Sequence, residues 1–131
     1  MSIQIDYNNV PIRLVFSETV DLTETNNILD ELEPLERQGA LKCLDRISDL
    51  RLIKKFDLNF DQVYSIAERR KKMVFSAPFK SALVVNSDLA MGFSRMFQTL
   101  NDHQDIDIQI FKTIEDAEDW IKINDNKTKE G

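Results

Sequence analysis

The run "SALVVN", Ser81 to Asn86, constrains the fold more than any other stretch. It is short and almost wholly apolar, so it suits a strand covered on both faces. "SDLAMGFSRMFQTL" follows at once. Ser87 stands as a helix cap, and Leu89, Ala90, Phe93, Met96, Phe97 and Leu100 recur at helical spacing. A covered strand running straight into an amphipathic helix is half of a crossover unit. It calls for parallel neighbours and for helices layered on a sheet.

The rest of the chain repeats that alternation. "SIQIDYNNVPIRLVF" alternates on both sides of Asn8-Asn9 and predicts a hairpin of strands Ile3–Tyr7 and Ile12–Phe16, with Pro11 at the start of the second. Asp21 or Thr23 opens a helix carrying Leu22, Ile28, Leu29 and Leu32, which Pro34 should end before a last turn closed by Gly39. Leu41–Ile47 is the next predicted strand, with Cys43 in its middle as a buried structural thiol. "SDLRLIKKFDL" then reads as an irregular connection. Asn59 caps a helix whose packed face is Phe60, Val63, Tyr64 and Ala67. Its basic last turn, Arg69 to Lys72, complements the helix dipole. "DIDIQIF" alternates strictly, as a half-covered strand does. Thr113 caps a final helix with Ile114, Ala117, Trp120 and Ile121 on one face. The expectation is one domain over residues 1–123, with a disordered tail over 124–131.

A chain of 131 residues suffices for one core but is small for a core plus a large lipid cavity. The net charge of −6 argues against nucleic-acid binding. The charge is uneven: Arg37 to Lys80 holds 11 basic and 5 acidic residues. Such a segment either docks an acidic partner or balances acids within its own fold. A single cysteine rules out an internal disulfide and fits a reducing, cytoplasmic setting. No basic and apolar leader and no long apolar run marks a signal peptide or a membrane span.

"LAMGFSRM", Leu89 to Met96, and "IFKTIEDAEDWI", Ile110 to Ile121, carry a family likeness. They resemble, in order, the "LAFGLARM" and "VFRDLEEALAWL" stretches of an uncharacterised bacterial family described as SpoIIAA-like, or as STAS/SEC14-domain-containing. "KCLDRIS" is similar to that family's "VLVDLR" strand, with Asp45 at the acidic position. The resemblance implies an α/β STAS-like fold: a mixed, mostly parallel sheet of four or five strands, an N-terminal β-hairpin and about four helices. Better-known proteins of this fold are anti-sigma-factor antagonists switched by a phosphorylated Ser or Thr. The nearest position here is Asn59, which cannot be phosphorylated.

The individual chemistry-bearing residues are few. Ser87 has no histidine near it in sequence, so it lacks the base a serine nucleophile needs. Ligands of open α/β sheets bind beyond the strand carboxyl ends, which singles out Ser48, Asn86, Ser87 and Thr113. Arg95 has the reach to hold a phosphate or carboxylate, or to pair with Asp45 or Asp49. Gly92, inside a helix, suggests close packing against the sheet. "NDHQDID" gathers His103 with acids but fits no metal spacing, and no cofactor is expected. The leading expectation is a non-enzymatic regulatory domain that binds a protein partner or a second copy of itself. The alternative is a binder of a small apolar or anionic ligand, which requires a cavity lined by the Phe93–Phe97 helix.

Overall fold

The computed structural model describes residues 3–123. The predicted tail at 124–131 lies outside the described residues. Five strands form one sheet: β1 (Ile3–Asp6), β2 (Ile12–Asp21), β3 (Arg46–Asp57), β4 (Phe79–Val84) and β5 (Ile106–Phe111). Four helices accompany them: α1 (Leu22–Gln38), α2 (Phe60–Lys71), α3 (Asp88–Leu100) and α4 (Ile114–Lys122). The strands lie side by side in sequence order. β1 and β2 are antiparallel, and every later pair is parallel.

That order decides where the helices go. Right-handed crossovers that always step to the next strand in one direction put every crossover helix on the same face. α1, α2 and α3 accordingly share one face of the sheet. α4 follows the last strand and is free of that rule. It covers the other face, where Ala117 packs with Ile47, Ala82 and Val84. Lys80 fastens it, donating from Nζ to the Trp120 and Ile123 carbonyls at 3.0 and 2.9 Å.

Three expectations need correction. β3 begins at Arg46, not Leu41, and runs twelve residues through the stretch read as irregular. Leu41 and Leu44 are apolar because they pack on Met73, Phe75 and Phe79, not because they join a ladder. Cys43 therefore lies in a loop, half-buried. Burial and the neighbouring Asp45 push its thiol up, away from thiolate reactivity. α1 passes straight through Pro34. An internal proline costs about 3 kcal/mol, and the buried contacts of Leu32, Glu33 and Glu36 on either side offset it. On α2 the buried stripe is Val63, Ile66, Ala67 and Arg70, while Phe60 and Tyr64 stack on each other outside.

The caps follow the expected residues. Asp21, Asn59, Ser87 and Thr113 each accept a backbone N–H from the first turn of their helix. Gly39 ends α1 with φ 66°, the left-handed conformation glycine adopts freely. Gly92 is different. It is exposed, and a Cβ built there meets nothing within 4 Å, so no close packing requires it. Gly92→Ala is expected to stabilise the fold by about 1 kcal/mol in urea unfolding, the helix-propensity difference. A loss of stability would show that something packs at that face.

Candidate functional site

Strand alternation sends every second side chain of the sheet toward α1, α2 and α3. From β2 this face presents Leu14 and Phe16, from β3 Arg46, Ser48 and Leu50, and from β4 Phe79, Ser81 and Leu83. The helices do not fill the space above them. A cavity of about 190 Å³ remains between the two layers. Ile28, Leu29 and Leu32 of α1 wall one side, and Val63 and Ile66 of α2 another. Phe93, Ser94 and Phe97 of α3, with Asn101 just past its end, complete it. Phe93 stacks on Phe56 with ring centroids 4.5 Å apart, and both rings line the space.

One side of this cavity is charged, and the charges are consumed internally. Arg70 Nη1 and Nη2 donate to the two oxygens of Glu36 at 2.7 and 2.9 Å. Arg46 Nη2 stands 2.8 Å from Glu36 Oε2. Glu33 accepts from Arg70 at 3.1 Å and from Arg69 at 2.8 Å, and Asp30 accepts from Arg69 at 2.7 Å. The acids sit at 30, 33 and 36, one face of α1 at helical spacing. Three carboxylates thus face three guanidiniums. Glu36 is fully buried and Arg46 and Arg70 nearly so.

The titration of these groups follows their surroundings. Burial pushes the Glu36 carboxyl up, but Arg70 and Arg46 outweigh it and hold it below the usual carboxylate range. Burial pulls the Arg46 guanidinium down to about 10, with Glu36 opposing, so it remains charged at neutral pH. The guanidiniums also rest on rings. Arg46 lies 4.3 Å from the Phe79 centroid and Arg70 5.1 Å from that of Phe75.

Phe93 and Phe97 line this cavity as the ligand-binding alternative requires; of the polar positions singled out from sequence, Ser48 alone faces it, and it does so from within β3 rather than from a loop. Asn86, Ser87 and Thr113 gather at the carboxyl ends of the parallel β4 and β5. Ser87 and Thr113 spend their oxygens as caps, and Asn86 is exposed. Asn59 is locked in a reciprocal cap with Gln62. Arg95 is exposed on the outer side of α3. Asp45 accepts from the Lys80 backbone and Asp49 holds Arg51, so neither pairs with Arg95. His103 is a structural link: its Nε2 lies 2.8 Å from the Met73 carbonyl, and Nδ1 accepts from the Asp105 N–H. Within the basic segment, Arg46, Arg51, Lys54, Arg69 and Arg70 pair with acids of the same chain.

Sequence reasoning missed Arg46, Arg70, Ser81, Ser94 and Asn101. Ser94 and Asn101 did carry a signal, as polar residues on the inward stripe of an otherwise apolar helix. Both are buried, at 3% and 5% exposure. Ser94 Oγ and Asn101 Oδ1 have no hydrogen-bond partner among the described residues.

No family model and no curated protein matches the chain. Among solved structures it is similar to an uncharacterised protein of the DUF3478 family with a SpoIIAA-like fold, from Shewanella loihica PV-4. The TM-score is 0.56 at 13% identity, over 91% of this chain and 91% of that one. The chain thus has the SpoIIAA-like fold that the residues Leu89–Met96 and Ile110–Ile121 implied. Likeness at this identity speaks for architecture alone.

Glu36 is the member of the charged cluster whose loss should be felt most. Glu36→Ala leaves two buried guanidiniums short of a carboxylate and is expected to cost about 3–5 kcal/mol in urea unfolding. Lys54→Ala, which removes an exposed pair with Glu18, should cost under about 1 kcal/mol. The folded Glu36 carboxyl lies below its unfolded value of about 4.3. Its contribution is therefore complete above that pH and is lost as pH falls through the folded value. Glu36→Gln should flatten the fall in stability below about pH 4. Equal acid slopes in wild type and variant would contradict this assignment.

Proposed function

We propose that this domain binds a small, largely apolar molecule in the cavity between the sheet and the α1–α3 layer, and does not transform it. The observation that carries the reading is the cavity itself, apolar on most sides and lined by the Phe93–Phe97 stretch. Its volume of about 190 Å³, partly open to solvent, is comparable to that of an enclosed engineered apolar cavity of about 150 Å³ that holds benzene. Binding is favoured over catalysis because the charged groups on its wall are held in pairs. Beside the Arg46 and Arg70 guanidiniums, the space is faced by hydroxyls, one amide and hydrocarbon, which orient a ligand but supply no activated nucleophile or base.

Partner binding is the second reading. β3 pairs with β4 only over Arg46–Asp49, so beyond it one edge is open among the described residues, with Leu52 58% exposed there. Open edges invite strand addition. Sedimentation showing a monomer at every concentration would remove the homodimer form of this reading. No helix of the described residues is long and apolar enough to cross a membrane.

Benzene is a direct probe of the cavity. At ten times its dissociation constant it should stabilise the protein by about 1.4 kcal/mol. Ser48→Phe, which fills the cavity floor, should abolish that gain, and Ser81→Leu should reduce it. The phenylalanine itself is expected to cost about 1–3 kcal/mol through overpacking. Benzene that leaves the wild-type unfolding curve unmoved would defeat the ligand-binding reading.

A further inference from the structure

The cavity has apolar walls, a charged side and two uncharged polar groups with no hydrogen-bond partner among the described residues. On the charged side Arg46 Nη2 also makes no hydrogen bond, but it stands in ion contact with Glu36, and the cluster's charges balance within the fold. Both oxygens of Glu36 are taken by Arg70, with Arg46 2.8 Å from Oε2, and Glu33 is shared by Arg70 and Arg69. A carboxylate or phosphate entering here could bond Arg46 Nη2, but it would add a negative charge to a cluster whose three carboxylates already balance its three guanidiniums. An ammonium would meet no carboxylate without an arginine already on it. Either ion would lose its hydration with no unbalanced counter-charge in return.

The two polar groups are of another kind. Ser94 Oγ both donates and accepts, and Asn101 Oδ1 accepts. Both belong to residues more than nine-tenths buried, both line the cavity, and neither has a partner among the described residues. A buried acceptor without a donor is costly, and a ligand hydroxyl satisfies it. The two positions are seven residues apart, roughly 10 Å along the helix direction at 1.5 Å per residue. Phe97 lies between them in sequence. The wall on this side is therefore polar, apolar and polar again.

We infer that the cavity selects an uncharged amphipathic molecule, with an alkyl or aromatic body and a hydroxyl group received at one of two separate polar positions, Asn101 or Ser94. This rests on the ligand-binding reading and narrows it: of the apolar or anionic ligands expected from sequence, the anionic class is set aside.

The test is a matched set of eight-carbon probes at pH 7: 1-octanol, octanoate and octylammonium, with benzene beside them. Binding is followed through backbone amide shifts in a two-dimensional NMR titration. 1-Octanol should move the Ser94, Phe97 and Asn101 amides and bind at least about tenfold more tightly than either ion. Ser94→Ala combined with Asn101→Ala should cost octanol about fivefold or more and leave benzene affinity unchanged. Octanoate or octylammonium binding as tightly as octanol would overturn the inference, and so would a double variant that keeps full octanol affinity. In either case benzene binding would leave the broader reading standing. If none of the four probes binds, the ligand-binding reading falls and the inference falls with it.

Discussion

The two-sided pairing of Glu36 is the interaction on which the rest of this structure depends. A single carboxylate on α1 meets Arg70 from α2 and Arg46 from β3, and so ties two helices to the sheet at one buried point. α1 must continue past Pro34 for Glu36 to arrive there. The pair of arginines explains why it does: stopping the helix at the proline would leave Arg46 buried without its carboxylate and Arg70 with Glu33 alone, a larger loss than one missing helix hydrogen bond. The same junction sets the character of the cavity beside it. Charges that are already paired make a wall that is polar in composition and neutral in effect.

The topology supplies the space. Four parallel strands in sequence order place three crossover helices on one face and leave the other to α4 alone. The α4 face closes on small residues, Ala82 and Ala117, and is tight. On the three-helix face the large side chains of Arg46, Arg70 and the Phe56–Phe93 stack surround the space. Serines at 48, 81 and 94 stand where larger apolar side chains would fill the gap. The cavity is thus a consequence of residue choice on the sheet face that the three crossover helices partly cover.

How much of this was legible in the sequence depends on whether a signal is local. Caps are local, and Asp21, Asn59, Ser87 and Thr113 all cap as their sequence context predicts. The order of elements is carried by periodicity over six to thirteen residues and was readable throughout. β3 was not, because its start is polar and buried at once: Arg46, Ser48 and Asp49 read as a surface loop until partners from α1 and elsewhere are in place. The apolar residues before it, Leu41 and Leu44, gave the opposite false signal. The candidate site divided in the same way. Ser87, Thr113 and Asn59 stand at helix starts in the sequence and serve there as caps. Of the polar candidates only Ser48 lines the cavity, with Phe93 and Phe97 from the expected helix beside it. Ser94 and Asn101 act through burial without a partner, which no single stretch of sequence displays.

The claim that joins these observations is that the space beside the Glu36 junction is built for a neutral, hydroxyl-bearing ligand. The most direct measurement is native mass spectrometry of the protein purified gently from its own cells, with the released compound identified after denaturation. The account predicts a reproducible added mass that is lost on unfolding and belongs to an uncharged amphipathic molecule. A chain that carries nothing, or one that releases a carboxylate or a phosphate, would contradict it.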